Sequence, residues 1–155
     1  MVTISNSLFN LSLADAKPTD SPHLLLWDNP HDAAIHKLAF NNNAEIISYR
    51  DDLLNRVNLQ QKFLILHQNL DQEIDAIRQI CANTNNSSKY NNQRVLLLKD
   101  LDILITYLYS KPSSPISLFW QKLGDMRHLE SILWIVLPTQ IHPINWNKKR
   151  IITIV

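Results

Sequence analysis

LLLWDNPHDAAIHKLAF, residues 24–40, decides the fold. Leu24, Leu25, Leu26 and Trp27 form an unbroken apolar run, which predicts a strand covered on both faces, as in a parallel sheet. The run stops at Asp28-Asn29-Pro30. Asn29 is a suitable helix N-cap with Pro30 at the first helical position, where a missing N–H costs nothing. Ala33, Ala34, Ile35, Leu38 and Ala39 then supply an apolar stripe at helical spacing. An Asn41-Asn42-Asn43 turn leads into a second predicted strand over 45–49. Strand, helix and strand in this order make a βαβ unit, which implies parallel pairing and a right-handed crossover.

The rest of the chain extends that pattern. Leu59, Phe63, Leu66, Leu70, Ile74, Ile77 and Cys81 recur at three- and four-residue intervals, which predicts a helix over 71–82. Residues 59–68 fit either that helix period or a buried strand through Phe63-Leu64-Ile65-Leu66, and the sequence leaves both open. A polar loop is expected over 83–92. Val95-Leu96-Leu97-Leu98 reads as a third buried strand, ending in Lys99-Asp100-Leu101-Asp102. Ser113-Ser114-Pro115 starts a predicted helix running to His128, with Ile116, Phe119, Trp120, Leu123 and Met126 inward. Further strands are expected over 132–137, stopped by Pro138, and over 151–155, after a turn through His142-Pro143. No internal repeat is present. Residues 1–22 close on the breaker cluster Lys17-Pro18-Thr19-Asp20-Ser21-Pro22 and read as an N-terminal arm, disordered or loosely packed. A single domain then covers 23–155. The expected fold is α/β, a doubly wound, mostly parallel sheet of about five strands with flanking helices.

Composition narrows the chemistry. One glycine, Gly124, occurs in 155 residues, against a usual share of about 7%. Both the GxxxxGK[ST] loop and the GxGxxG turn need at least two glycines, so neither phosphate-cradling device can be built. Fifteen basic and fourteen acidic residues leave a formal charge of +1, which supplies no field to recruit nucleic acid or an anionic membrane. The lone Cys81 excludes an internal disulfide and fits a reducing compartment. The N-terminus carries no basic region ahead of its short apolar stretch, unlike a signal peptide. No apolar run approaches the roughly 18 residues of a spanning helix. These features point to a cytoplasmic chain with no membrane partner.

In doubly wound sheets ligands sit beyond the carboxyl ends of the strands. Here those ends are Asp28-Asn29, Tyr49-Arg50-Asp51-Asp52, Lys99-Asp100 and Pro138-Thr139-Gln140. The succession of strand, cap, helix and strand, then VLLLKDLDIL, LFWQKLGDMRHLESILWIVLPTQIHP and KRIITIV, resembles the core of an AAA+ ATPase. VLLLKD would be its Walker B strand and ILWIVLPT its sensor-1 strand. Within that superfamily the chain is most similar to the degenerate, non-catalytic N-terminal domain of plastid and cyanobacterial AAA proteins. LDQEIDAIRQI, LLKDLD, WQKLGDMRHL and VLPTQIHP follow one another as the corresponding motifs do there. The resemblance spans residues 23–155 and implies a P-loop NTPase-like core without a P-loop.

Carried over residue by residue, the active site is incomplete. The phosphate loop should follow Trp27, yet Asp28-Asn29-Pro30-His31-Asp32-Ala33-Ala34-Ile35-His36 holds neither glycines nor a Lys-Ser/Thr pair. Asp28 and Asp32 place negative charge where a phosphate would need a free helix N-terminus. Asp100 stands for the Mg²⁺-side aspartate, but Leu101 occupies the place of the catalytic Glu. Asp102 lies one further step along, where a strand turns its side chains to the other face. Thr139 would be the sensor residue and Arg150 an arginine finger, with no phosphate to sense. Asp28, Asn29, Asp100 and Thr139 therefore form a vestigial cleft. No catalytic residue, cofactor or metal site is expected, and the chain is not read as an enzyme.

Two other readings compete. LLLWDNPHDAAIHKLAF and Lys111-Pro112 also resemble a receiver domain of two-component signalling, with FLILHQN as its third strand. The phospho-accepting aspartate would fall near His67, and none is there, so this would be a pseudo-receiver. A small Mg-dependent hydrolase using Asp28 and Asp100 is the other. Strand order separates them, because a receiver-like order makes the strands carrying Asp28 and Asp100 neighbours, whereas an AAA+ order inserts another strand.

The remaining candidates have bland readings. Asp32 and His36 are four apart and share a helix face, while His31 and His36 diverge, so capping and solvation suit them better than a metal. Asp51 and Asp52 suit a helix cap. Cys81 on its apolar stripe reads as a small core residue. Trp120 and Trp134 fit core positions, and Trp27 and Trp146 fit exposed anchors, the residue type enriched in interface hot spots. Trp146 with Lys148, Lys149 and Arg150 forms the candidate interaction patch. The functional expectation is a non-catalytic AAA+-like module that mediates assembly within a larger complex. Its expected partner is a protein, with an active ATPase among the candidates, and nucleic acid ranks below it.

Overall fold

The computed structural model describes residues 2–4, 10–57, 66, 69–82, 94–112 and 115–155. Among these, six strands form one sheet: β1 (Val2–Ile4), β2 (His23–Trp27), β3 (Ala44–Ser48), β4 (Val95–Lys99), β5 (Ile132–Leu137) and β6 (Ile151–Ile154). They lie in the order β1-β6-β2-β5-β4-β3, and every pairing is parallel. The helices are α1 (Asp32–Asn41), α2 (Tyr49–Arg56), α3 (Leu70–Ala82), α4 (Asp102–Tyr109) and α5 (Ile116–Gly124). The doubly wound α/β expectation holds.

Side-chain alternation divides the strands between two cores. Leu24, Leu26, Leu96, Leu98, Leu133, Ile135 and Leu137 pack with the apolar stripes of α3, α4 and α5. Leu25, Trp27, Leu97, Trp134 and Val136 pack on the opposite face with Ile35, Leu38 and Ala39 of α1. The apolar runs read as two-sided strands are two-sided because helices cover both faces. β2 and β5 are buried along their entire length.

The N-terminal stretch is more integrated than a loose arm. β1 pairs with β6, Val2 opposite Ile152. Leu13 is fully buried in the α1-side core. Its backbone is satisfied from both sides: Asn42 Oδ1 accepts from Leu13 N at 3.1 Å, and Trp134 Nε1 donates to its carbonyl at 3.2 Å. The six-residue breaker cluster stops regular structure without releasing the chain from the core, because Asn42 and Trp134 of β5 hold Leu13 and β6 holds β1.

Other boundaries shift for local reasons. α1 begins at Asp32 with His31 as N-cap, because Asn29 adopts a left-handed φ of 44° instead of capping. Ser48 ends β3 and caps α2, its hydroxyl accepting from Asp51 N at 3.3 Å; Asp51 and Asp52 occupy the first turn, where a carboxylate complements the helix dipole. α4, unassigned from sequence, fills 102–109 with Leu104, Ile105 and Leu108 inward. α5 stops at Gly124, four residues before the expected His128, although Met126 and Leu129 remain buried beyond it. The ambiguous stretch 59–68, apart from the partly buried Leu66, and the expected loop over 83–92 lie outside the described residues.

One buried charge ties α2 to α3. Glu73 is 2% exposed and accepts from both terminal nitrogens of Arg56 at 2.9 Å, while Tyr49 donates its hydroxyl to the same carboxylate. Burial and the Glu73 charge push the Tyr49 phenol well above its usual range, so it stays a donor. Glu73→Gln leaves Arg56 without its buried counter-charge and should lower unfolding stability by about 2–3 kcal/mol in denaturant melts. That is below the 3–5 typical of a fully buried pair, because Arg56 is partly solvated.

His23 offers a pH handle. It is 1% exposed, stacks on Trp134 at 4.8 Å, and its Nε2 lies 2.8 Å from the Pro18 carbonyl. Burial holds its pKa below the ordinary 6.5, the Pro18 bond opposing this and the Arg150 charge adding to it. The unfolded chain therefore takes up the His23 proton first as pH falls, and stability declines below about pH 6.5. Melting temperatures measured from pH 7.5 down to 5.5 should fall for the wild type. His23→Phe, which retains the stacked ring, should flatten that decline; an unchanged slope would assign it to other groups.

Candidate functional site

The chain leaves β2 and β5 on opposite faces of the sheet. α1 packs on one face, whereas Ile141 and Trp146, after β5, pack with α3–α5 on the other. Divergent connections from adjacent strands mark the switch point, where open α/β sheets take ligands beyond their carboxyl ends. The register aligns Leu26 with Leu137 and so brings Asp28 beside Thr139. There Thr139 N donates to Asp28 Oδ1 at 2.8 Å, and its hydroxyl lies 3.0 and 2.8 Å from the two carboxylate oxygens. Thr139 opens a single 3-10 turn (Thr139–Ile141), and its own carbonyl meets His142 Nδ1 at 2.5 Å. The crevice is bridged by its own side chains.

Asp100 stands elsewhere on this edge. It follows β4 with a left-handed φ of 68° and accepts from Ser48 Oγ at 2.5 Å. β5 separates its strand from that of Asp28, so the two carboxylates flank a strand rather than share a neighbourly gap. Asp102 lies in the first turn of α4, Asp32 in that of α1, and Asn29 is exposed between Asp28 and Pro30. At the crevice itself the Asp28 carboxylate and the Thr139 hydroxyl and N–H are already paired with each other, where a phosphate ligand would require free donors.

The other singled-out residues are accounted for locally. His31, Asp32 and His36 are exposed, and His36 Nδ1 meets the Asp32 carbonyl at 2.7 Å within α1. Among the described residues no three His, Cys, Asp or Glu side chains gather as metal ligands. Cys81 is fully buried, and burial pushes its thiol up to about 12, which keeps it protonated and unreactive.

The expected Trp146 patch is corrected by burial. Trp146 is 6% exposed and meets Trp120 edge-on at 6.2 Å. A Cβ on Gly124 would lie 3.3 Å from its ring; the only glycine of the chain is a notch in α5 that admits an indole. Arg150 is 8% exposed; its guanidinium lies over the Trp146 ring at 5.2 Å and donates to the Pro22 carbonyl at 3.3 Å. Lys148 and Lys149 remain exposed. Trp27 is buried as well, at 4%, on the α1 side of the sheet. Trp134 is buried and Trp120 partly so, as their core positions imply.

Around Trp146 and Arg150 lies a groove of about 590 Å³, also lined by Tyr109, Trp120, Arg127 and Ile144. Arg127 and Arg150 precede β5 and β6, so they mark the end of the sheet opposite the Asp28–Thr139 crevice. Sequence reasoning missed Arg127, because its place depends on α5 ending at Gly124 rather than running through it. No protein-family model matches the chain, and no curated protein matches it significantly. Among the described residues no helix is long and apolar enough to cross a membrane.

Thr139→Val and Asp28→Asn should each cost about 1 kcal/mol or less, as for hydrogen bonds at an exposed site. Their double mutant should cost less than the sum. Chemical denaturation of the four-variant cycle measures the coupling, and strict additivity would show that the bridge contributes nothing.

Proposed function

We propose that this chain is a non-catalytic AAA+-like α/β domain that works as an interaction or assembly module of a larger protein complex. The observation that carries the reading is the bridged switch-point crevice, where Thr139 donates to Asp28 in the space a nucleotide phosphate would occupy. Strand order supports the AAA+-like part: β5 lies between β2 and β4, as the resemblance implies and as a receiver-like order does not. The same order weighs against a hydrolase built on Asp28 and Asp100, whose carboxylates are held by separate hydroxyls, those of Thr139 and Ser48. A fold that lacks its phosphate loop retains its surfaces, and relatives of the AAA+ type associate through theirs. The partner this favours is a protein, an active ATPase being one form of it, in the cytoplasm.

Calorimetric titration of the purified chain with Mg·ATP should give no heat of binding beyond dilution. A micromolar dissociation constant would overturn the reading. Affinity isolation from the native host, followed by identification of a stoichiometric partner, tests the positive half.

A further inference from the structure

The groove beside Trp146 holds more hydrogen-bond donors than the described residues supply with acceptors. Arg150 is nearly buried, yet among the described residues the single hydrogen bond of its guanidinium is to the Pro22 carbonyl. Arg127 spends one terminal nitrogen on the Gly124 and Met126 carbonyls, at 2.8 and 2.7 Å. A guanidinium has five N–H donors, so most on both side chains remain unspent. No carboxylate of a described residue lies within salt-bridge distance of either arginine, although Asp125 lines the same groove. The indole N–H groups of Trp120 and Trp146 are buried and have no acceptor among the described residues.

A buried cation without a counter-charge is costly, and a second cation beside it raises the cost. Burial and the nearby Arg127 charge both work against the Arg150 proton. Such a surplus is relieved by a ligand that brings acceptors. The rim adds an apolar requirement: Ile144 is 93% exposed and Tyr109 54%, with half-buried Trp120 between the polar groups and the core. Free phosphate would leave that apolar rim in water, and a charge of +1 gives little general attraction for a nucleic-acid backbone.

We infer that the groove between α5 and residues 142–150 is a docking site for an acidic peptide segment of a partner protein. One or more carboxylates of that segment pair with Arg127 and Arg150, and a neighbouring apolar side chain rests against Ile144, Tyr109 and Trp120. Arginine presents its donors as a fork that matches a carboxylate in two contacts. Trp146 holds Arg150 in place by its ring face, and Gly124 admits Trp146. Lys148 and Lys149, exposed next in sequence to Arg150, add charge that speeds encounter with an acidic chain. The inference rests on the interaction-module reading only in supposing a protein partner; it does not depend on the AAA+ resemblance or on the crevice.

Selection of random displayed heptapeptides on the immobilised chain tests it, with Arg127→Glu as the counter-screen. Arg127 is exposed and absent from the core, so this variant should stay folded, which circular dichroism checks. Enriched peptides should carry Asp or Glu next to Leu, Phe or Trp. The selected peptides, made synthetically, should bind Arg127→Glu at least tenfold more weakly and Ile144→Ser several-fold more weakly. They should also shift the indole N–H resonances of Trp120 and Trp146. Selection with no acidic enrichment, or peptides that bind Arg127→Glu as tightly as wild type, would overturn the proposal. So would ATP or inorganic phosphate shifting the same resonances more strongly than any peptide. Mg·ATP binding at the crevice with the peptide results intact would instead remove only the non-catalytic reading.

Discussion

A parallel sheet exposes no face to water, because each crossover returns over one side and both sides need cover. That constraint governs this molecule through β2, which lies between β5 and β6 and is buried along its whole length. Its Leu24 and Leu26 belong to one core, and Leu25 and Trp27 to the other. Because α1 departs on the second face while later connections use the first, the divergence falls at the carboxyl ends of β2 and β5. The location of the crevice, the neighbourhood of Asp28 and Thr139, and the depth at which Leu13 is buried all descend from that arrangement.

Scarcity of glycine shapes the backbone in a way the composition only half announces. Left-handed conformations are still needed, and among the described residues Ser12, Asn29, Asn43, Asp100 and His128 supply them. Asn and Asp tolerate this region because their short polar side chains bond locally. Two of these positions, Asn29 and Asp100, follow β2 and β4, where the edge that would receive a ligand is built. Gly124 is spent on contact rather than on conformation, since the surface it frees is filled by Trp146. Side chains at the turns leave less room for backbone N–H groups to converge on an anion.

Much of the fold was legible because apolar periodicity reports burial directly. The strands at 132–137 and 95–98 and the helix at 71–82 needed nothing beyond local pattern. α4 was missed because an apolar octamer between turns carries too little polar contrast to display a period. Glu73 was illegible because a buried carboxylate is recognised by the partners that satisfy it, Arg56 and Tyr49, which come from another helix. The site was half legible: Asp28, Asp100 and Thr139 were placed on the carboxyl edge by strand endings alone. Exposure of Trp146 was misread, since a tryptophan near a turn gives no hint that a glycine 22 positions earlier has opened a slot for it.

The position of β2 has a further consequence for how the chain is made. Its two sheet neighbours, at 132–137 and 151–154, are synthesised after every other described strand. At roughly 5–20 residues per second, Leu24, Leu25, Leu26 and Trp27 wait many seconds outside the ribosome before either neighbour exists. The central strand therefore cannot nucleate the sheet during translation; β3 and β4 can pair first, and β2 joins from a distance of more than a hundred residues. Such non-local closure is slow, and the waiting segment, Leu24-Leu25-Leu26-Trp27, is wholly apolar. Late, non-local completion of the sheet is thus written into the strand order, whatever the finished domain does.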